Sequence, residues 1–209
     1  MLFRHLMFTR FLFLISWLTL AAPVCAEPHL TAFLDNLYTL QADFIQTVIV
    51  NNSRRTTRTS RGTFYLSRPD RFRWNYSDPA GQEVVADGSR VWLYNPELEQ
   101  VSHKSQASAL RGTPALLLSS MAPIEQHFQV TSLGTHNDLE WIRLIPKNPD
   151  SEVSRVDVAF DGNNLDRFEM IDAFGQTTRF MFIHVQRNPR LNPRLFRFTP
   201  PPAVDILGN

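Results

Sequence analysis

The apolar positions near residue 30 recur with a helical period. Leucine and phenylalanine fall on the spacing of one helix face: Leu30, Phe33, Leu34, Leu37 and Leu40. A single apolar stripe of this kind is typical of a helix that packs on a core. Pro28 suits the first turn of such a helix, because the first turn does not need its N–H. The pattern therefore predicts a helix over residues 28–40.

The period then changes from helical spacing to alternation. The runs "ADFIQTVIV" and "GTFYLS" alternate apolar and polar residues on either side of a polar turn, so they are expected to pair as strands. Further strands are predicted at residues 72–76, at 83–86 before the Asp87-Gly88 turn, at "RVWLYNP" and at "EQVSH".

Residues 107–126 interrupt this alternation. In "GTPALLLSSMAPIEQ", Thr113 is a candidate N-cap and Pro114 the first helical residue, and a second short turn is expected near Pro123. Leu116, Leu117 and Leu118 are consecutive, so they cannot all face one core in a short helix. Some of them are expected to meet a second apolar surface.

Strand patterns resume after the insertion. They are predicted at residues 127–133, 139–146, 153–160, 165–172 and 176–186. Near the end, Phe196 and Phe198 share one parity and "AVDIL" is a candidate edge strand. Ten or eleven short strands favour an antiparallel barrel or a strongly curled sheet, in one domain.

One strand has an unusual aromatic load. In "LSRPDRFRWNYSDP", Phe72, Trp74 and Tyr76 fall on one parity, while Arg71 and Arg73 fall on the other. The two parities of a strand point to opposite faces of a sheet. The aromatic side chains therefore share a face, and the two arginines are expected to point away from it.

The first 26 residues have the composition of an export signal. Arg4 and Arg10 precede the apolar run "FLFLISWLTLAA", and small residues stand at the cleavage positions before Glu27. Cleavage after Ala26 is predicted; the alternative is an uncleaved amphipathic helix. Cys25 is the only cysteine, and "APVC" is a poor match to a lipoprotein acylation site. The expected mature chain, residues 27–209, then contains no cysteine.

The charge of the expected mature chain is close to neutral. Loss of Arg4 and Arg10 leaves 19 basic residues against 20 acidic ones, so there is no general positive field to attract nucleic acid. The cluster Arg54, Arg55, Arg58 and Arg61 is interpreted as a solvated hairpin tip rather than a phosphate site.

Catalytic and metal-binding patterns are not found in the sequence. The histidines are scattered without metal-ligand spacing, and there is no P-loop, dinucleotide-binding glycine motif or nucleophile elbow. The carboxylate pairs Asp157/Asp161 and Asp166/Glu169 are interpreted as solvated turn residues. The sequence therefore predicts neither an enzyme nor a cofactor or metal site.

The predicted strands offer more apolar surface than catalytic chemistry. Apolar side chains on the strand faces include Phe64, Phe72, Trp74, Val84, Leu93 and Trp92. They suit either a filled core or the wall of an open apolar cavity, because small filled barrels and ligand-holding barrels differ little in sequence.

The stretch "RPDRFRWNYSDPAGQEVVADGSRVWLYNPELEQV" resembles the signature region of the periplasmic outer-membrane lipoprotein carrier (LolA-type) family. The resemblance rests on the Arg-Pro pair, Phe-x-Trp, the Asp-Gly turn and Trp-x-Tyr-Asn-Pro, at the family's spacing. "LQADFIQ", "GTPALLL" and "FRFTPPPAVDIL" extend it over nearly the whole expected mature chain.

The resemblance implies a mainly β fold, a half-open antiparallel barrel of about eleven strands with a helical lid. Family members accept acylated lipoproteins from an inner-membrane ABC transporter, shield the acyl chains across the periplasm and deliver them to an outer-membrane receptor. The chain is accordingly expected to act as a monomer without cofactor or catalysis.

The resemblance also implies roles for individual residues. Phe64, Phe72, Trp74, Val84 and Leu93 are expected to line an apolar cavity for the acyl chains. The leucines at positions 116–118 are expected to form the lid. By its position in the Arg-Pro pair, Arg68 is expected to latch the lid by donating to its backbone carbonyls; without the resemblance, the sequence favours a surface residue that caps a strand end. Arg71 and Arg73 depart from the expected pattern and suggest an outward contact surface for the membrane partners.

Two other classes of function fit the sequence less well than a carrier. A lipid or stress sensor with the same half-barrel usually carries a second domain, for which 209 residues leave no room. A lipid-modifying enzyme needs a nucleophile and a base, and neither is found. The carrier is therefore the expected function.

Overall fold

The computed structural model describes residues 28–50, 56–78, 80–109 and 114–208. The predicted export signal, with Cys25, lies outside the described residues, as do Arg54, Arg55 and the candidate cap Thr113. The described residues form twelve β-strands, three short α-helices and three 3₁₀ turns.

The first helix is shorter than its apolar spacing predicts. Helix α1 spans Pro28–Leu34, and Asn36 follows in the left-handed region with a φ of 57°. The chain then extends, and strand β1 begins at Thr39, so the prediction of a helix as far as residue 40 is wrong. Leu37 and Leu40 are nonetheless buried, because the turn and the strand point them to the same core that the helix contacts.

Twelve strands form one continuous sheet. Their bounds are β1 (Thr39–Val50), β2 (Thr56–Ser67), β3 (Arg71–Asp78), β4 (Ala80–Asp87), β5 (Arg90–Asn95), β6 (Gln100–Ser105), β7 (Phe128–His136), β8 (Leu139–Pro146), β9 (Val153–Asp161), β10 (Asn164–Asp172), β11 (Thr177–Arg187) and β12 (Asp205–Gly208). The strand order is β12-β6-β5-β4-β3-β2-β1-β11-β10-β9-β8-β7. All neighbours are antiparallel except β12, which pairs parallel to β6.

The sheet is open and strongly curled, as the sequence predicted. Its edge strands, β12 and β7, stand at opposite ends of the strand order. Strands β3 and β11 are three steps apart, which is about 14 Å in a flat sheet. The ring centroids of Trp74 and Phe180 on these two strands are nevertheless 4.9 Å apart. The sheet therefore folds its two halves toward each other across a concave face.

The main hydrophobic core lies within this concavity. It combines side chains from α1 and from both halves of the sheet, with Phe33 of α1 packing on Phe160 of β9 at a centroid distance of 5.3 Å. Alternation along β1 turns Ala42 and Phe44 inward, and both are about 1% exposed. Helix α1 thus packs against the core within the concavity.

Gly62 is required where the aromatic side chains crowd the sheet. Residue 62 lies opposite Phe44 on β1 and next to a register shift between β2 and β3. A Cβ at this position would lie 2.8 Å from the ring of Phe44 and 1.9 Å from the carbonyl oxygen of Asn75. The absence of a side chain lets the ring of Phe44 lie flat across the strand.

We expect Gly62→Ala to destabilise the protein by about 1–3 kcal/mol, the usual cost of overpacking. The cause is the backbone clash with Asn75, which rotation of a side chain does not relieve. Thermal and urea unfolding measure the effect. Thr63→Ala is the matched control, because it removes one partly exposed hydrogen bond to Asp43 and should cost less. Equal stability of the two variants would contradict this explanation.

The helical insertion lies where the sequence places it. Helix α2 (Gln106–Ala109) follows β6 directly, α3 spans Pro114–Ser119, and a 3₁₀ turn at Ile124–Gln126 precedes β7. The insertion begins one residue before the predicted bound and contains two separate short helices. It connects the β1–β6 half of the sheet to the β7–β11 half.

The segment before β12 covers the convex face of one half of the sheet. Its 3₁₀ turn, Pro193–Phe196, buries Phe196, and Phe198 stacks on Trp92 at 5.5 Å. Val85 and Val101 are fully buried outside the concave core. Strands β3–β6 therefore have apolar packing on both faces, and the predicted edge strand at "AVDIL" is confirmed as β12.

Candidate functional site

A cavity of about 590 Å³ lies on the concave face of the sheet. Its volume is within the about 300–1,000 Å³ range of ligand pockets. Eight of its 17 lining residues are aromatic: Phe64, Phe72, Trp74, Tyr76, Phe168, Phe174, Phe180 and Phe182. The aliphatic lining consists of Leu66, Val84, Val91, Ala109, Leu118, Val153 and Met170. Glu152 and Asp172 complete the lining.

Trp74 is at the centre of the aromatic wall. Its ring lies 4.3 Å from Phe64, 4.8 Å from Phe44 and 4.9 Å from Phe180, measured between centroids. The side chain is only half-buried although it packs against the core, because its remaining surface faces the cavity. Period-two alternation in β3 is the local cause, since it directs residues 72, 74 and 76 to one side.

The hydroxyl group of Tyr76 in the aromatic wall has a hydrogen-bond partner. The Tyr76 hydroxyl donates to Oε1 of Gln46 at 2.8 Å. Burial raises the pKa of Tyr76 to about 12, so the phenol stays neutral at physiological pH. The wall thus presents neutral surface to the cavity, which suits an apolar occupant better than a charged one.

Four of the five side chains expected to contact a ligand line this cavity: Phe64, Phe72, Trp74 and Val84. Leu93 pairs with Val84 on the same face, but it is not part of the lining and is 39% exposed. Val91, two residues earlier on β5, lines the cavity instead. Trp92 faces the convex side, where its Nε1 donates to Asp87 at 2.8 Å.

The opposite wall of the cavity was missed in the sequence. Phe168 and Met170 of β10 and Phe180 and Phe182 of β11 line the cavity. The alternation in "RFMFIHV" is a signal for one aromatic face. Its position opposite Trp74 depends on the pairing of β1 with β11, which joins residues more than 120 positions apart.

Phe174 marks the opening of the cavity. It is 96% exposed at the turn between β10 and β11, yet it contributes to the lining. The turn is well ordered by hydrogen bonds, because Oδ1 of Asp172 accepts from the backbone N–H groups of Phe174 and Gln176 at 2.9 and 2.8 Å. An apolar ring is thereby held in solvent beside the apolar interior.

The helical insertion covers part of the cavity. Leu117 and Leu118 are each 5% exposed and belong to the concave core, and Leu118 also lines the cavity. The backbone of Leu116 lies in α3, but its side chain is outside the described part of the chain. Leu117 and Leu118 thus both pack against the concave face of the sheet.

Arg68 links this insertion to α1. Its Nη1 donates to the carbonyl oxygens of Leu34 at 2.7 Å and Leu37 at 3.2 Å, and its Nη2 donates to the carbonyl oxygen of Ser120, directly after α3. Burial lowers the pKa of Arg68, and the nearby Asp35 carboxylate opposes that shift. The guanidinium stays charged, because the ordinary arginine pKa is above 12. The planar guanidinium group of Arg68 therefore binds carbonyl groups at the ends of both α1 and α3.

Arg73 does not form the predicted contact surface for a partner. It points to the convex side as expected, but its side chain is only 15% exposed. Its Nη2 pairs with Glu83 at 2.7 Å and its Nη1 donates to the carbonyl oxygen of Leu195 at 3.0 Å. Arg73 thus anchors the segment before β12, and Arg71 is half-buried on the same face.

Asp157 is not the solvated turn residue that the sequence suggested. It lies within β9 and is 6% exposed. Arg143 binds it through two hydrogen bonds of 2.8 and 2.9 Å, and Arg155 contacts it at 3.2 Å. These bonds raise the pKa of Arg143. The carboxylate is thus engaged in a structural ion-pair group, while Asp161 is exposed at the strand end.

The described ranges offer neither a candidate metal site nor a membrane-spanning helix. They contain no group of three or more His, Cys, Asp or Glu side chains that could hold a metal ion. None of the helices in these ranges is long and apolar enough to cross a bilayer.

A curled antiparallel sheet that holds an apolar cavity defines a class of proteins that bind apolar ligands in the concavity of a sheet. The chain belongs to the family of the outer membrane lipoprotein carrier protein LolA, whose family model matches residues 35–199. The resemblance seen in the sequence is thus confirmed.

Relatives of known name support the same assignment. An outer-membrane lipoprotein carrier protein from Methylococcus capsulatus is 40% identical over 185 residues, which cover 88% of each chain. One from Dechloromonas aromatica is 39% identical over 191 residues, 91% of each chain. A crystal structure of an uncharacterized conserved protein from Thermus thermophilus aligns with a TM-score of 0.51 at 11% identity, over 87% of this chain and 96% of that one, which supports the fold alone.

Proposed function

We propose that this protein carries outer-membrane lipoproteins across the periplasm by holding their acyl chains in the concave cavity. The observation that carries this proposal is the aromatic and aliphatic lining of a cavity of about 590 Å³ in a chain of the LolA family. The relatives at 39–40% identity are named for the same activity. Carriage of this kind needs binding and release, and no reaction.

The cavity meets a defined energetic need. An acyl chain in water costs about 0.8 kcal/mol per CH₂, so one long chain costs on the order of ten kcal/mol. Contact with Trp74, Phe180 and their neighbours removes this surface from water. Aromatic walls have few rotatable bonds, so they lose little conformational entropy when a flexible chain lies against them.

The helical insertion acts as the lid in this proposal. Leu118 occupies part of the concave surface in the empty protein, and Leu117 packs beside it. A cavity of this size suits one drug-sized ligand, and several acyl chains need more room. Loading therefore displaces the leucines, and their return to the sheet favours release. The carrier thus stays reversible, because lid and lipid compete for one surface.

Arg68 is the latch of the lid in this proposal. It donates to the backbone carbonyls of Leu34 and of Ser120, and the bond to Ser120 exists only when the insertion lies on the sheet. Charge-assisted bonds of this type are worth about 1.5–3 kcal/mol each. That is enough to bias a two-state equilibrium, yet small against the burial of an acyl chain.

The proposed partners are an inner-membrane lipoprotein-releasing ABC transporter and an outer-membrane receptor. Export by a cleaved signal over residues 1–26 would deliver residues 27–209 to the periplasm, as the basic start and apolar run of the sequence suggest. The protein would act there as a monomer without cofactor, since the cavity lies within one chain.

The direct test uses spheroplasts that contain the matching ABC transporter. We expect the purified exported protein to release a radiolabelled acylated lipoprotein into the supernatant as a soluble complex of one carrier and one lipoprotein. Buffer and a cavity-free protein of similar size are the controls. A lipoprotein that stays in the membrane with an active transporter present would overturn the proposal.

A further inference from the structure

Gln106 is a buried polar side chain at the point where the helical insertion begins. It is the first residue of α2 and is 6% exposed. Its Oε1 accepts from the N–H of Gly88 at 3.1 Å, and its Nε2 donates to the carbonyl oxygen of Asp70 at 2.5 Å. Its own N–H donates to the carbonyl oxygen of Ser89 at 2.8 Å. The residue is thus fixed to the β2–β3 and β4–β5 turns at once.

The β2–β3 turn also holds the other end of the insertion. The N–H of Asp70 donates to the carbonyl oxygen of Ser119 at 3.0 Å, and Arg68 donates to that of Ser120. Asp70 therefore binds the start of the insertion with its carbonyl group and the end with its N–H. Gln106 and Ser119 are thus both hydrogen-bonded to this one turn.

The two attachments differ in how readily they can separate. Gln106 follows β6 without an intervening residue, so strand pairing leaves it no slack. If the side-chain amide of Gln106 lost its two hydrogen bonds, a buried donor and a buried acceptor would be left without partners, which is energetically costly. Three residues separate Ser120 from Ile124, the next residue buried in the core, and Met121 among them is 57% exposed. When Ser120 leaves, Arg68 keeps two carbonyl partners, on Leu34 and Leu37.

We infer that Gln106 is the fixed pivot of the lid, and that the end at Ser119 and Ser120 is the part that opens. This inference rests on the proposed carrier function and makes Gln106 a positioning residue, which does not contact the lipid. On loading, the lid swings away from the sheet about the Gln106 amide. After release, the same amide returns the leucines to their original register.

Spin-label distances separate the two ends of the lid. The protein carries Cys25→Ser, so that only introduced cysteines react. One label pair joins Ser108, exposed in α2, to Met181 on the central strand β11; the other joins Met121 to Met181. The loading probe is a synthetic triacylated lipopeptide. We expect loading to shift the Met121 distance and to leave the Ser108 distance unchanged.

Two variants test the pivot directly. Gln106→Leu should broaden the Ser108 distance in the empty protein. Gln106→Glu should do the same at neutral pH and recover the original distance as the pH is lowered, because a protonated carboxyl again supplies both a donor and an acceptor. A Ser108 distance unchanged by both substitutions, or a pH profile without recovery, would overturn the pivot.

A measurement without ligand tests the pivot independently of the carrier function. Arg68→Leu should release Ser120 in the empty protein, and so should shift Met121 while Ser108 stays in place. If the lipopeptide does not co-elute with the protein, the carrier function fails and this measurement still tests the pivot. If the lipopeptide binds and Ser108 moves as far as Met121, the pivot is wrong and the carrier function stands.

Discussion

Trp74→Glu is expected to abolish binding of acylated ligands while the fold is retained. Trp74 contacts Phe64 and Phe180 at the centre of the wall, so a glutamate there projects a carboxylate into the cavity. Burial of an unpaired carboxylate against an acyl chain is strongly unfavourable. In the empty protein the carboxylate remains hydrated through the opening. We expect the lipopeptide affinity to fall by about 100-fold or more, since each 1.4 kcal/mol is tenfold.

A fluorescent lipopeptide titration and far-UV circular dichroism together measure this outcome. Trp141→Glu is the matched control, because Trp141 pairs with Ala159 on the convex face, away from the cavity. It introduces the same charge into a strand of the same sheet and should leave the affinity unchanged. Unfolding of the Trp74 variant would instead indicate that the aromatic wall is a filled core.

Arg68→Leu is expected to tighten binding and to slow delivery. The substitution removes three bonds to backbone carbonyls that hold the empty, closed state together. In the loaded state proposed above, the bond to Ser120 is already broken, so the substitution destabilises that state less than the closed one. Since the apparent affinity scales with the fraction of binding-competent protein, we expect binding roughly tenfold tighter or more. Transfer from the carrier to receptor-containing vesicles should be impaired far more than uptake.

Arg187→Leu controls for a general loss of stability in α1. Nη2 of Arg187 donates to the carbonyl oxygens of Phe33 at 2.8 Å and Asp35 at 3.3 Å. It thus binds the same helix as Arg68 without contacting the lid. This variant should lower the melting temperature and leave the transfer rate unchanged. If Arg68→Leu transfers lipopeptide at the wild-type rate, the latch is excluded.

Local patterns were sufficient for one wall of the cavity. Alternation in β3 placed Phe72 and Trp74 on one face, and Val84 lies directly opposite Trp74 on the neighbouring strand β4. The end of the helix at Leu34 was not predicted, because the positions of Leu37 and Leu40 fit both helical and extended spacing. Local spacing does not distinguish the two where both directions point to the core.

Long-range pairing determined what the sequence missed. Phe182 faces Phe44 only because β11 returns to β1, and Arg73 contacts Leu195, which lies 122 positions later in the chain. Leu93 has the right parity but lies beyond the cavity, since parity defines a face and not a distance along it. Gln106 gave no periodic signal, because its role depends on two turns that are distant in sequence.

The segment that packs behind β3–β6 gives the protein two mechanically different halves. Phe196 and Phe198 back this half as a second layer, and Arg73 fastens them to it. On β11, by contrast, Met181 and Ile183 are 37% and 39% exposed on the convex side. A sheet with a second packed layer behind it resists bending, whereas a sheet that is exposed on its convex face bends more easily. The first half can therefore serve as a stiff reference against which the other half and the lid adjust to cargo of different bulk.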